Sequence, residues 1–452
     1  YIKVMVFKKK IYLLAFLITS CGGGGGSSQT VAPESPNTPT PSSPSHPSVW
    51  DVVTPGSVGM NKAGLDEAFR YEMQDGSYTQ AAVVIKDGKL VYERYRGITM
   101  SEASVLNESI SIDSRTLAEL YAERDVRSYV SSWSTAKSFT SILIALAVED
   151  GFISSIEDSA SEYITEWSTD QRSSISIKNL LDMRSGLVPM CFIVSINDIG
   201  ECQTASGASS GGNIVYANDQ MTKCISRNLA DEGVNHPWYE NGSVPFNRGN
   251  FLYSNCDTMV LGEIIFRATG QDLQTFAEYS LFSKIGIEAS WWRDFSSDGQ
   301  SNGNYLAYCC LDMTARDFAK FGHMLLLGGV WENGNSKLGS YVDTIKNLQS
   351  YGLKFWTLCS NPSSSPCDEY IISTIGFDGQ YIMVDFERNL VVVRASLYEP
   401  VQNISADRKM KLFPDDLSSS NWVATVPSGL GAAANSTFSA SEFVKQVIDS
   451  IN

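Results

Sequence analysis

The chain has 452 residues, 43% apolar and 11% aromatic, with 19% charged; that is enough for a large core and too few charges for a disordered or coiled-coil protein. Its formal net charge is −16, and residues 1–20 hold four lysines (Lys3, Lys8, Lys9, Lys10) and no acid, so the remainder carries 30 basic against 50 acidic residues, −20. Such a surface repels phosphate backbones and speaks against nucleic acid as a partner.

Lys8-Lys9-Lys10 precede an apolar run over 11–19. That order describes a secretory signal, and the run is too short for a stop-transfer helix. The competing reading, a buried helix opening a domain, fits poorly with the low-complexity stretch that follows at once. Met5 reads as the start. Ile18-Thr19-Ser20-Cys21 resembles the lipobox of bacterial lipoproteins. The resemblance implies lipidation of Cys21, export to the periplasmic side and, with Gly22 rather than Asp after the cysteine, an outer-membrane anchor. Residues 1–20 are thus expected as signal peptide and 21–49 as a flexible Gly/Ser/Pro-rich tether. Residues 50–452 form the globular domain, opened by Trp50.

Segments 81–85 and 90–93 flank Asp87-Gly88, a hairpin signal with the turn residue a tight turn needs. Residues 134–150 read as a helix closed by Gly151. Its apolar residues lie almost all round, which predicts burial. A second helix is expected over 256–269, closed by Gly270. Residues 381–386 and 390–395 form another hairpin. Ser439-Ala440-Ser441-Glu442 is a capping-box pattern ahead of an amphipathic run. Strands near both ends with helices between predict an α/β (α+β) fold, its sheet built from N- and C-terminal segments around a helical middle.

Eight cysteines follow Cys21, and an exported protein can oxidise them. Cys191 with Cys202 and Cys359 with Cys367 bracket short loops and are the expected disulfides. Cys224 with Cys256 is a further candidate. A bond between the neighbours Cys309 and Cys310 would be strained. Zinc is the poorer alternative, because only His46, His236 and His323 are present and no C-x-x-C spacing occurs. No metal or cofactor is expected.

Ser134 and Lys137 carry the chemistry. A serine hydroxyl needs a base within hydrogen-bond reach, and positions i and i+3 of a helix share a face. At a helix start the dipole favours a developing oxyanion, and a lysine buried there loses its proton more easily. An N-cap serine with a surface lysine is the bland alternative, yet an otherwise apolar helix has little reason to carry that lysine.

Trp133-Ser134-Thr135-Ala136-Lys137-Ser138-Phe139 resembles the nucleophile motif of the serine β-lactamase and penicillin-binding-protein superfamily. The likeness is to its class C-like branch of esterases, amidases and 6-aminohexanoate-dimer hydrolase-type proteins. Leu180-Leu181-Asp182-Met183-Arg184-Ser185-Gly186-Leu187, Asn250-Phe251-Leu252-Tyr253-Ser254-Asn255, Thr314-Ala315-Arg316-Asp317 and Phe321-Gly322 resemble further segments of that family. The resemblance implies a β-lactamase/transpeptidase-like fold with an antiparallel sheet, flanking helices and a helical subdomain. It assigns Tyr253 as partner of Ser134 and Lys137. An adjacent Lys137 ammonium would lower the Tyr253 pKa, and either group could be the acylation base. Asn255 would hold Lys137 or the substrate amide.

Two decoys compete. Tyr216-Ala217-Asn218 is a second Tyr-x-Asn, but no apolar helix follows it. Gly207-Ala208-Ser209-Ser210-Gly211 matches a nucleophile elbow without the strand and helix that an elbow needs. The histidines sit in the tether, in loops or in the core, so a Ser-His-Asp triad has little support.

The family's third motif, Lys-Thr-Gly or His-x-Gly, corresponds to Phe377-Asp378-Gly379 here. Phe377 cannot supply the cation that holds a substrate carboxylate in that family. The oxyanion hole needs only backbone N–H groups, of Ser134 and Gln380, and Gly379 lets the backbone approach the substrate. The expected function is a serine hydrolase forming an acyl-enzyme from a small-molecule ester or linear amide, touching the membrane only through its lipid. A D,D-peptidase or β-lactamase on the same fold, and a non-catalytic surface-binding lipoprotein, are the alternatives.

Overall fold

Asp87 and Gly88 both take positive φ, 52° and 73°, and their turn joins β1 (Thr79–Lys86) to β2 (Lys89–Tyr95) as expected. The structure, a computed structural model, describes residues 50–109, 113–188, 214, 217–230, 249–296, 303–329, 338–398 and 437–452. The expected signal peptide and tether, with Cys21 and His46, lie outside the described residues. So do Cys191, Cys202, the 207–211 segment, Tyr216 and His236.

A small sheet of β3 (Tyr129–Ser131), β4 (Ser290–Trp291) and β5 (Leu311–Thr314) has the order β3-β5-β4. The large sheet adds β6 (Trp356–Cys359), β7 (Tyr370–Gly376), β8 (Gln380–Asp385) and β9 (Leu390–Ser396) to the first hairpin. Its order is β2-β1-β9-β8-β7-β6, antiparallel throughout. Val83 faces Val393 across the β1–β9 pair, so N- and C-terminal segments close one sheet.

Period-2 alternation sends successive side chains of β1 to opposite faces. Ala82 and Val84 meet one apolar cluster, and Val83 and Ile85 another. Both faces are covered, so β1 is buried almost end to end. Helix α1 (Lys62–Glu72) covers the first face. The helical side contains α2 (Ala136–Glu149), α3 (Ile177–Leu181), α4 (Gln220–Ile225), α5 (Asn255–Thr269) and α6 (Ala315–Leu326). Helix α7 (Ala440–Asp449) returns beside α1. Half of its expected capping box forms: Ser439 Oγ accepts from Glu442 N–H, while Ser439 N–H goes to the Tyr71 hydroxyl.

Phe139 of α2 stacks on Phe321 of α6 at 3.8 Å, and burying each ring contributes roughly 1.5–3 kcal/mol. Next to it, a Cβ on Gly322 would lie 2.6 Å from Val391, so that glycine lets α6 lie directly on β9. Among the described residues no helix is long and apolar enough to cross a membrane.

Candidate active site

At the end of β3 the chain turns sharply. Ser132 is locked to β5, its N–H donating to the Leu311 carbonyl at 3.0 Å and its Oγ accepting from Leu311 N–H at 2.9 Å. Trp133 follows with φ 46°, a conformation rare for a bulky residue and frequent at functional sites. A 3-10 turn, Trp133–Thr135, then runs into α2. The sequence pattern placed the helix start at Ser134; Ser134 instead stands in the turn ahead of it. The tight turn keeps the i, i+3 relation. Lys137 Nζ donates to Ser134 Oγ at 2.8 Å and to the Tyr308 carbonyl at 2.8 Å. Among the described residues these are its acceptors, so Asn255 does not hold it.

Lys137 is 1% exposed. Burial, and second to it the charge of Lys354, holds its pKa well below the ordinary lysine value. Tyr253 is pushed up to about 12 by burial, against which a hydrogen bond with Ser134 works. This runs against the expectation that a Lys137 ammonium lowers Tyr253: the amine lies 5.0 Å from the Tyr253 ring centroid, yet burial raises the phenol, and it is the amine whose pKa is held down.

The turn after α3 cradles the Tyr253 segment. Leu252 N–H donates to the Met183 carbonyl at 2.9 Å, and Ser254 N–H reaches Met183 Sδ at 3.2 Å. Arg184 Nη1 donates to the Gly249 carbonyl and Ser185 Oγ to Asp257. Ser254 caps α5, and half-buried Asn255 is its first residue. Tyr253 also borders Trp356, at 5.7 Å between rings, and Tyr351, at 6.2 Å.

The β7–β8 turn forms the opposite wall. Thr135 Oγ1 donates to the Gln380 carbonyl at 3.1 Å. A Cβ on Gly376 would lie 2.3 Å from the Ser132 carbonyl, so the end of β7 rests on the turn that carries Ser134. Asp378 and Gly379 have φ of 60° and 93°. Phe377 is 41% exposed, and its ring meets Trp133 edge-on at 5.8 Å. Ser134, Lys137, Tyr253 and the Gly379–Gln380 pair are thus gathered at one place. His323 is elsewhere, on α6 against Trp50 at 5.6 Å.

A model of the Beta-lactamase family matches residues 65–407. The chain belongs to the Beta-lactamase family. Its members are serine hydrolases. A candidate beta-lactamase from Bacteroides dorei DSM 17855 is 15% identical with a TM-score of 0.52, over 86% of this chain and 99% of that one. A penicillin-binding protein homologue from Caulobacter crescentus is 13% identical with a TM-score of 0.51, over 75% and 91%. These two likenesses show the β-lactamase/transpeptidase-like fold. A candidate 6-aminohexanoate-dimer hydrolase from Bacillus anthracis is 23% identical over 78% of this chain and 83% of that one, with a TM-score of 0.49. No curated protein matches the chain.

Within this Beta-lactamase family chain, sequence reasoning missed three groups at the site. The Tyr308 carbonyl is a backbone acceptor with no sequence signature. Lys354, 1% exposed, and Arg394, 2% exposed, both stand inside apolar runs, and that is the signal that could have found them. Three disulfides are described. Cys359–Cys367 closes the loop before β7, and Cys224–Cys256 ties α4 to the first turn of α5. Cys309 and Cys310 are also joined, against the sequence expectation; Cys310, at φ 64°, turns the chain so that adjacent side chains converge.

Proposed function

We propose that this chain is a serine hydrolase that cuts an ester or small linear amide through an acyl-enzyme on Ser134. The observation that carries the reading is the 2.8 Å contact between Ser134 Oγ and the buried Lys137 amine. An unprotonated amine at that distance takes the hydroxyl proton as Oγ attacks the carbonyl carbon. The backbone N–H groups of Ser134 and Gln380 receive the oxyanion. Collapse breaks the bond to the alcohol or amine, which leaves with the proton held by Lys137, relayed through the Tyr253 hydroxyl. Water then attacks the acyl ester, gives its proton to Lys137, and frees Ser134. Lys137, and not Tyr253, is the base in this scheme, because burial raises the phenol and lowers the amine. Asn255 and Gly379 line the substrate.

Phe377 sets the substrate class. An aromatic ring where a cation would hold a carboxylate favours neutral esters and amides over β-lactams and D-alanyl peptides. The same residue supports the second reading, a surface-binding lipoprotein without turnover. A fluorophosphonate probe on wild type and Ser134→Ala decides between them, together with a panel of p-nitrophenyl esters. Labelling and turnover that vanish in the variant support the hydrolase; their absence in wild type supports the binding protein. Stable labelling by a fluorescent penicillin would favour the peptidase or β-lactamase alternative.

We also propose the exported, outer-membrane-anchored location, supported by the basic, apolar and Cys21 sequence order. Metabolic labelling with a radioactive fatty acid, lost in Cys21→Ala, tests it.

A further inference from the structure

A second aromatic ring faces the Lys137 amine. Nζ lies 5.0 Å from the Tyr253 ring centroid and 5.4 Å from that of Tyr308. The Tyr308 backbone grips the same amine, its carbonyl accepting from Nζ at 2.8 Å. Further along α2, Thr140 Oγ1 donates to the neighbouring Ala307 carbonyl at 2.7 Å. The chain at Tyr308 is thus pinned to the helix that carries Lys137, and Tyr308 is fully buried there.

The ring is also held from its far end. The Tyr308 hydroxyl donates to Gln220 Oε1 at 2.7 Å. Gln220 is buried and opens α4, and its N–H donates to Asp294 Oδ2 at 2.9 Å. Asp294 is fixed in turn, its Oδ1 accepting from the N–H groups of Ser296 and Asn304. The Cys224–Cys256 disulfide ties α4 to the first turn of α5, just beyond Tyr253. The two rings that flank Lys137 are therefore anchored to elements that are covalently joined.

Among the described residues no carboxylate pairs with Lys137. Yet the amine becomes an ammonium when it takes the Ser134 proton, in a place that water does not solvate, and a buried charge needs compensation. The face of an aromatic ring is negative, and it attracts a cation within about 6 Å of its centroid, most strongly where both are desolvated. We propose that Tyr308 is a positioning residue whose ring, held by Gln220, forms with the Tyr253 ring a two-sided aromatic slot for the ammonium that Lys137 becomes on taking the Ser134 proton. The inference rests on the acyl-transfer reading. As Ser134 Oγ bonds to the acyl carbon, the Tyr308 carbonyl and the two rings stay around the new cation. The titratable groups about the amine are the Tyr253 and Tyr308 phenols, both raised by burial, and the Lys354 amine, while Asp294 faces Tyr308.

The test compares wild type, Tyr308→Leu, Tyr308→Phe, and the Phe variant with 4-fluorophenylalanine or 3,4,5-trifluorophenylalanine incorporated at that position. Fluorine drains the ring face stepwise and keeps its shape, so this series decides even if Tyr308→Leu fails to fold. The pH dependence of fluorophosphonate labelling is recorded with a 13Cε NMR titration of Lys137. A weaker face disfavours the ammonium. From Phe to the trifluoro ring, the Lys137 midpoint and the acid limb of labelling should therefore move downward together by about half a pH unit or more. The plateau rate should fall by about twofold to fivefold as the base weakens. A limb and midpoint that stay in place across the series, the pattern of a ring that only fills space, overturn the proposal whatever the rate does. If Ser134→Ala labels like wild type, the acyl-transfer reading fails, and the NMR midpoint alone still decides the role of Tyr308.

Discussion

Arg394 Nη1 donates a 2.8 Å hydrogen bond to the Gly379 carbonyl, at the β7–β8 turn that carries Gln380. The same guanidinium donates to the carbonyls of Asp378 and Ser77 and to Thr79 Oγ1, and it pairs with Glu72 at 3.3 Å. One buried side chain thus joins α1, β1 and the proposed oxyanion turn. Removing one member of a buried pair strands the other charge, at about 3–5 kcal/mol. Arg394→Met is expected to lose that much stability in chemical denaturation. Glu72→Gln/Arg394→Met should recover most of it. Equal losses in both would show that the ion pair is not what the arginine contributes.

Glu72 makes stability depend on pH. Burial pushes its carboxyl up to about 7 from an ordinary 4.5, with the Arg394 charge pulling it back. Between those values the folded state binds more protons than the unfolded one, so the contribution of Glu72 to stability falls as pH rises. The slope is about 1.4 kcal/mol per pH unit. Below the window both states are protonated, and above it neither is. Glu72→Gln removes this dependence. Urea melts at several pH values should show the variant gaining on wild type from pH 4.5 to 7 and then running parallel. A constant difference across that range would contradict the assignment.

The base assignment has its own test. Lys137→Arg keeps a cation at the site but cannot accept a proton at neutral pH, and Lys137→Ala removes the group. Both should slow Ser134 labelling by about 10²–10⁴-fold. In wild type the labelling rate should rise with pH as Lys137 loses its proton, and do so well below the ordinary lysine range. An Arg variant as reactive as wild type would transfer the role to Tyr253.

The fold was legible wherever the signal was local. Asp87-Gly88 and the alternation around it gave the first hairpin, and the 381–386 and 390–395 runs became β8 and β9. The strands of the small sheet have two to four residues, too few for a period to appear. Strand β7 follows a loop rich in Pro, Ser and Cys and was missed. At the candidate site, Ser134 and Lys137 stand in a short motif at helical spacing, and Tyr253 entered only through the family resemblance. Lys354 and Arg394 act through burial, a tertiary property, and their only trace in sequence is a cation among apolar neighbours.

Phe377 offers the sharpest check on substrate class. It stands 41% exposed over Trp133, at the position where the proposed reading puts a family cation for a substrate carboxylate. An exposed ion pair is worth up to about 1 kcal/mol. Phe377→Lys should therefore lower KM for a carboxylate-bearing ester by about threefold to fivefold relative to its neutral counterpart. Losing the Trp133 contact disturbs both substrates alike, so the ratio isolates the charge. Added salt should shrink the ratio, since screening acts on exposed charges. A ratio unchanged by the substitution would mean that the acyl group does not approach this turn, and the preference for neutral substrates would need another origin.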